Sequence, residues 1–168
     1  MQNGPSPRTP ARTLPHPSWV HLSDSAYFSE QWNTALRLFK GDALFHIQAD
    51  AHPENTTLLF ERYIDLAKRH NIGVYEPMLT PNVHPYQLSQ HRLVEPDLYE
   101  IPHSDCTCWF IAGDIINAVP IVDTNINGFG WGIDTVVAAL CIQRGKACVR
   151  DACQFSYFVR ICGNSQSQ

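Results

Sequence analysis

The chain has 168 residues, 44% hydrophobic, 17% charged and 11% aromatic, with a formal charge of −4, which is room for one domain around a single core. No basic run is longer than Lys68-Arg69 and no apolar stretch approaches the length of a bilayer span, so neither nucleic-acid binding nor a membrane span is expected. The opening MQNGPSPRTPARTLPHP lacks the apolar region of a secretory signal, and a cytoplasmic location is expected.

Residues 1–18 are rich in Pro, with Ser, Thr, Arg and Gly, and are expected to be a flexible lead-in. An α/β domain is expected over 19–158, and a flexible tail over 159–168. Trp32, Ala35, Leu36 and Phe39 recur at helical spacing and predict an amphipathic helix that Gly41 ends. The apolar run Ala43-Leu44-Phe45-His46-Ile47 suits a strand covered on both faces, as in a central parallel sheet. Asp50 then falls just past its carboxyl end, where open α/β sheets gather ligand-binding residues. A second helix is predicted from about Glu54 to His70, with Leu59, Tyr63, Leu66 and Ala67 inward.

Residues 72–75 predict a short strand. Residues 77–104 carry five prolines among His and Asn residues and read as a long irregular segment. Residues 106–112 (CTCWFIA) predict another strand, and Gly113-Asp114 opens a short helix closed by Pro120. The turn Asn127-Gly128-Phe129-Gly130-Trp131-Gly132 leads into a helix with Ile133, Val136, Val137 and Leu140 inward. Gly145 ends it, and a last strand runs from Ala147 to Asp151. Alternating helices and strands imply an α/β architecture. The six cysteines (106, 108, 141, 148, 153 and 162) contain no C-x-x-C pair, so reduced, small, buried side chains are expected rather than a disulfide framework or a zinc site.

Several residues have a chemical and a plain structural reading. Asp50 either holds a divalent cation or caps the following helix. Asp134, in the first turn of a helix after two glycines, is either a general base or a favourable charge at a helix start. Asp105 either contacts sugar hydroxyls or ends a loop. His46 reads as a hydrogen-bonded core histidine and Asp151 as structural. His84, His91 and His103 have no helical metal-ligand spacing.

Taken together, Asn33 through Asp50 and Gly130 through Asp134 resemble glycosyltransferases of the GT-A fold, the nucleotide-diphospho-sugar transferases, and among them the bacterial family 2-like enzymes. Gln48-Ala49-Asp50 stands where that family carries Asp-x-Asp, with Gln in the first acidic position. Gly130-Trp131-Gly132-Ile133-Asp134 is similar to its Gly-Trp-Gly-x-Asp/Glu-Asp segment. The resemblance implies a mixed, mostly parallel sheet flanked by helices, a partial domain lacking the N-terminal nucleotide-binding strand and the usual C-terminal end. It implies donor contacts from Asn33, Gln48 and Asp50, a Mn²⁺ or Mg²⁺ ion on Asp50, acceptor contacts from Asp105 and Trp131, and Asp134 as the catalytic base. The implied partners are a nucleotide-sugar donor and a carbohydrate or other hydroxyl acceptor. Two alternatives stand beside this: a catalytically inactive remnant serving as a binding or interaction module, and a metal-dependent hydrolase of another α/β family.

Overall fold

The structure, a computed structural model, describes residues 20–48, 51–80, 91–153 and 159–161. Helix α1 (Phe28–Leu38) buries Trp32 and Asn33 along its inner stripe and gives way to extended backbone at Phe39. Strand β1 (Ala43–Ile47) follows, then the short β2 (Ala51–Pro53). Helix α2 (Thr56–Arg69) is capped by Asn55, whose side chain accepts from the Leu58 amide, and carries Lys68 and Arg69 in its last turn. Both ends therefore suit the helix dipole and its unpaired amides. The cap role that Asp50 was a candidate for belongs to Asn55.

The chain continues through β3 (Ile72–Pro77), β4 (Leu79–Thr80), β5 (Arg92–Glu95), β6 (Leu98–Glu100) and β7 (Cys108–Ala112). Helices α3 (Gly113–Ile116) and α4 (Ile133–Gln143) and strands β8 (Ala147–Asp151) and β9 (Val159–Ile161) complete the described elements. The segment expected to be irregular thus contains a hairpin. β5 and β6 pair antiparallel around Asp97, whose φ of 64° sits in the turn. Arg92 and Glu100 lie opposite each other and form an ion pair. Asn and Asp tolerate this left-handed conformation better than other non-glycine residues. The residues 81–90, including His84, lie outside the described set. Val159–Ile161, within the span expected as a tail, is a strand.

Six strands form one sheet in the order β1-β7-β3-β8-β6-β5, and β2-β9-β4 form a second. In the large sheet only β3 and β8 run parallel; every other neighbouring pair is antiparallel. The expectation of a mostly parallel sheet is therefore corrected: the fold is α/β with a mixed, mostly antiparallel sheet between helices. A short apolar run reports burial but not strand direction. β7 is buried at every position yet antiparallel to both neighbours, while β1, expected at the centre, is a half-buried edge strand.

Helices cover both faces. Val74, Trp109, Ile111 and Cys148 face Trp32 of α1, Ile115 of α3 and Ile133, Val137 and Cys141 of α4. Tyr75, Phe110 and Val149 face Leu59, Tyr63 and Leu66 of α2. The strand directions have a functional consequence. β1, β3 and β8 all end at one edge of the sheet, and β7 begins there. Among the described residues no helix is long and apolar enough to cross a membrane.

Candidate functional site

That edge gathers most of the chemistry. Gln48, just past β1, donates its backbone N–H to the Thr107 carbonyl at 2.8 Å, which ties the strand end to the start of β7. Asp105 is exposed but fixed. Its Oδ1 accepts from the Thr107 amide at 3.1 Å and from the Thr107 hydroxyl at 2.9 Å. Asp134 stands in the first turn of α4, half-exposed, with Oδ1 accepting the Thr135 amide at 2.8 Å. Between them lies Cys106. Burial pushes its thiol pKa up, and the negative charges of Asp105, Asp134 and Glu76 push it further.

Two residues of this edge escaped the sequence reading. Glu76, 1% exposed at the end of β3, accepts from Arg150 Nε at 3.0 Å and Nη2 at 2.8 Å. Burial raises its pKa, opposed by Arg150 and by hydrogen bonds from Ser104 and the Asp105 amide. The available signal was a Glu inside the otherwise apolar strand IGVYEP. Asp151, the next residue of β8, points to the other face. It is buried and accepts from Arg62 Nε at 2.8 Å, the Tyr75 hydroxyl at 3.1 Å and the Cys153 amide at 3.1 Å. It is structural, as its place at the strand end suggested.

His46 is a core histidine. Trp109 Nε1 can only donate, and at 3.1 Å it fixes His46 Nδ1 as an acceptor. The remaining ring nitrogen carries the proton and bonds the Cys106 backbone. Burial lowers the ring pKa, with the Cys106 hydrogen bond opposing it. The sign follows directly: below about 6.5 the unfolded chain takes up a proton that the folded ring resists, so stability is lost as the pH falls. His46→Gln keeps an acceptor and a donor but cannot titrate. Its unfolding midpoint should therefore depend less on pH than the wild type's between about pH 7 and 5. Parallel midpoint curves for the two proteins would contradict this.

The other expected residues are less uniform. Asn33 is 3% exposed, and its whole amide is engaged: Nδ2 donates to the Val122 carbonyl at 2.8 Å and Oδ1 accepts the Val122 amide at 2.9 Å. It clamps the segment after α3 to α1. Trp131 is not core: it is 83% exposed, and only its backbone is held, by Asn127 Oδ1 at 3.1 Å and Nδ2 at 2.8 Å. Gly130 and Gly132 flank it at φ of 76° and 82°. Asp50 lies outside the described residues. Among the described residues no group of three or more His, Cys, Asp or Glu side chains is arranged to hold a metal, so these residues do not make up a metal site by themselves. The five described cysteines are free; Cys108, Cys141 and Cys148 are buried, whereas Cys106 and Cys153 are only half-buried, and Cys162 lies outside the described set.

The edge thus brings together Gln48, Asp105 and Asp134 from the expected set, adds Glu76 and Arg150, and assigns Asn33 a packing role. No protein-family model matches the chain, and no curated protein matches it closely enough to count as a relative.

Proposed function

We propose that the chain is a GT-A-like glycosyltransferase domain that transfers a sugar from a nucleotide-diphosphate donor to a hydroxyl acceptor. The observation that carries this reading is the convergence of the Gln48 strand end, Asp105 and Asp134 on one sheet edge, although they come from distant parts of the sequence. In this reading Asp134 takes the proton of the acceptor hydroxyl. The acceptor oxygen bonds to the anomeric carbon as the bond to the diphosphate oxygen breaks, and the nucleoside diphosphate leaves. Asp105, with Oδ1 committed to Thr107, offers Oδ2 to an acceptor hydroxyl. Trp131, 83% exposed, offers an open aromatic face. The divalent cation of this reading depends on Asp50, and the described residues supply no further set of ligands for it.

A second reading, an inactive glycosyltransferase-like module, draws support from the Gln at position 48 and from Asn33, whose amide is wholly engaged with Val122. Thermal unfolding with UDP or GDP and Mn²⁺ tests the first reading. Ligand at a hundredfold excess over Kd adds about 2.7 kcal/mol, a rise of roughly 5–10 °C in Tm for a chain of this size. No shift with any nucleoside diphosphate at millimolar concentration would overturn donor binding. A shift without measurable transfer to any sugar acceptor would favour the inactive module.

A further inference from the structure

We infer that Glu76 is a positioning residue for Asp105, an inference that rests on reading this edge as the acceptor side of the site. The geometry is specific. Glu76 Oε1 takes both Arg150 contacts, and Oε2 takes the Asp105 backbone N–H at 3.0 Å. The Ser104 hydroxyl, itself 2% exposed, donates to the Asp105 carbonyl at 3.3 Å and so holds the same turn. Asp105 is therefore held from two directions, by Glu76 through its amide and by Thr107 through Oδ1.

A buried ion pair gains little stability over an apolar pair of similar volume. What Glu76 and Arg150 supply is a fixed anchor at the ends of β3 and β8, where Glu76 and Arg150 lie in register. The turn carrying Asp105 hangs from that anchor, so the exposed carboxylate of Asp105 is held in one place. Arg150 in turn fixes which oxygen of Glu76 faces the turn.

Position and charge can be separated. Glu76→Asp keeps the charge and the Arg150 partner but is shorter by one methylene, so it withdraws from the Asp105 amide. Glu76→Gln removes the charge. With Arg150 holding the amide oxygen, its NH₂ group then faces the Asp105 N–H, donor against donor. The Cys106 thiol is a built-in reporter, because the nearby carboxylates raise its pKa and only the thiolate is alkylated.

The experiment follows iodoacetamide labelling of Cys106, located by peptide mass spectrometry, across pH. Asp105→Asn should lower the midpoint by roughly one unit, equivalent to about tenfold faster labelling below the midpoint. Glu76→Asp should also lower it, although no charge is lost, and should leave it unchanged in the Asp105→Asn background. An unmoved midpoint in Glu76→Asp, or equal shifts in both backgrounds, would overturn the inference. If Glu76→Asp does not fold, Glu76→Gln in the same cycle decides. The shift it causes must shrink when Asp105 is already Asn, and equal shifts would count against positioning. No nucleotide or sugar enters the measurement, so the outcome stands apart from the fate of the transferase reading.

Discussion

On the proposed transferase reading, Asp134→Asn should lower sugar transfer by about 10²–10⁴-fold while leaving the fold nearly as stable as before. The loss is that expected when a general base is removed from its substrate proton. Stability should barely change because Asn retains an oxygen to accept the Thr135 amide. The missing charge–dipole contribution at the start of α4 amounts to about 0.3–1 kcal/mol. The side chain is half-exposed, so no buried charge is left without a partner. The informative comparison is Asp105→Asn, which removes an acceptor contact and should act mainly on the acceptor KM. Transfer within a few-fold of wild type in Asp134→Asn would remove the base from the mechanism. Transfer lost together with the folded state would mean that Asp134 is structural.

The largest stability loss is expected at Gly130. A Cβ there would lie 2.2 Å from Phe28 Cδ1 and 3.1 Å from Ile133 Cδ1, and the residue already has a φ of +76°. The left-handed conformation costs a non-glycine residue about 1–2 kcal/mol, and forced overpacking about 1–3 kcal/mol more. Gly130→Ala should therefore destabilise by about 2–5 kcal/mol in urea unfolding. Phe28 is half-buried, stacks on Trp32 at 6.1 Å and meets His46 edge-on at 5.5 Å, centroid to centroid, so moving it away would disturb both contacts. Gly132 provides the control. Its φ of +82° carries the same backbone cost, but nothing lies within 4 Å of its Cβ position. Gly132→Ala should cost only about 1–2 kcal/mol. Equal losses at the two positions would show that the Phe28 contact is not what requires glycine.

The elements were more legible in the sequence than their arrangement. The stripe Leu59, Tyr63 and Leu66 is the buried face of α2, and the apolar run at 43–47 is β1. Periodicity records which residues meet the core, and it does so whichever way a strand runs. Direction is set by connections, and the long excursion between β3 and β7 brings the chain back to the sheet pointing the other way. The β5–β6 hairpin was hidden because its turn uses Asp97 rather than glycine, and its strands are short, four and three residues, with no clear alternation of buried and exposed positions. At the site, Asp105 and Asp134 were readable as acids next to structured elements. Glu76 showed only as a lone charge in an apolar strand and Arg150 not at all, because only the β3–β8 register brings them together. The pair of hydrogen bonds made by Asn33 was likewise invisible: its partner, Val122, is a backbone 89 residues away.

The strand order also sets a timetable for synthesis. β8 is inserted between β3 and β6, so β1, β7 and β3 can pair as soon as residue 112 has emerged, but the β5–β6 hairpin has no place in the sheet until β8 arrives. Roughly 50 residues separate Glu100 from Asp151, which at about 5–20 residues per second amounts to about 3–10 s. Throughout that interval Leu98, fully buried in the finished protein, has no β8 to pack on. Until Val149 and its neighbours are made, the sheet that buries Leu98 is incomplete, so the order of synthesis leaves the hairpin's docking on β8 among the last pairings to form.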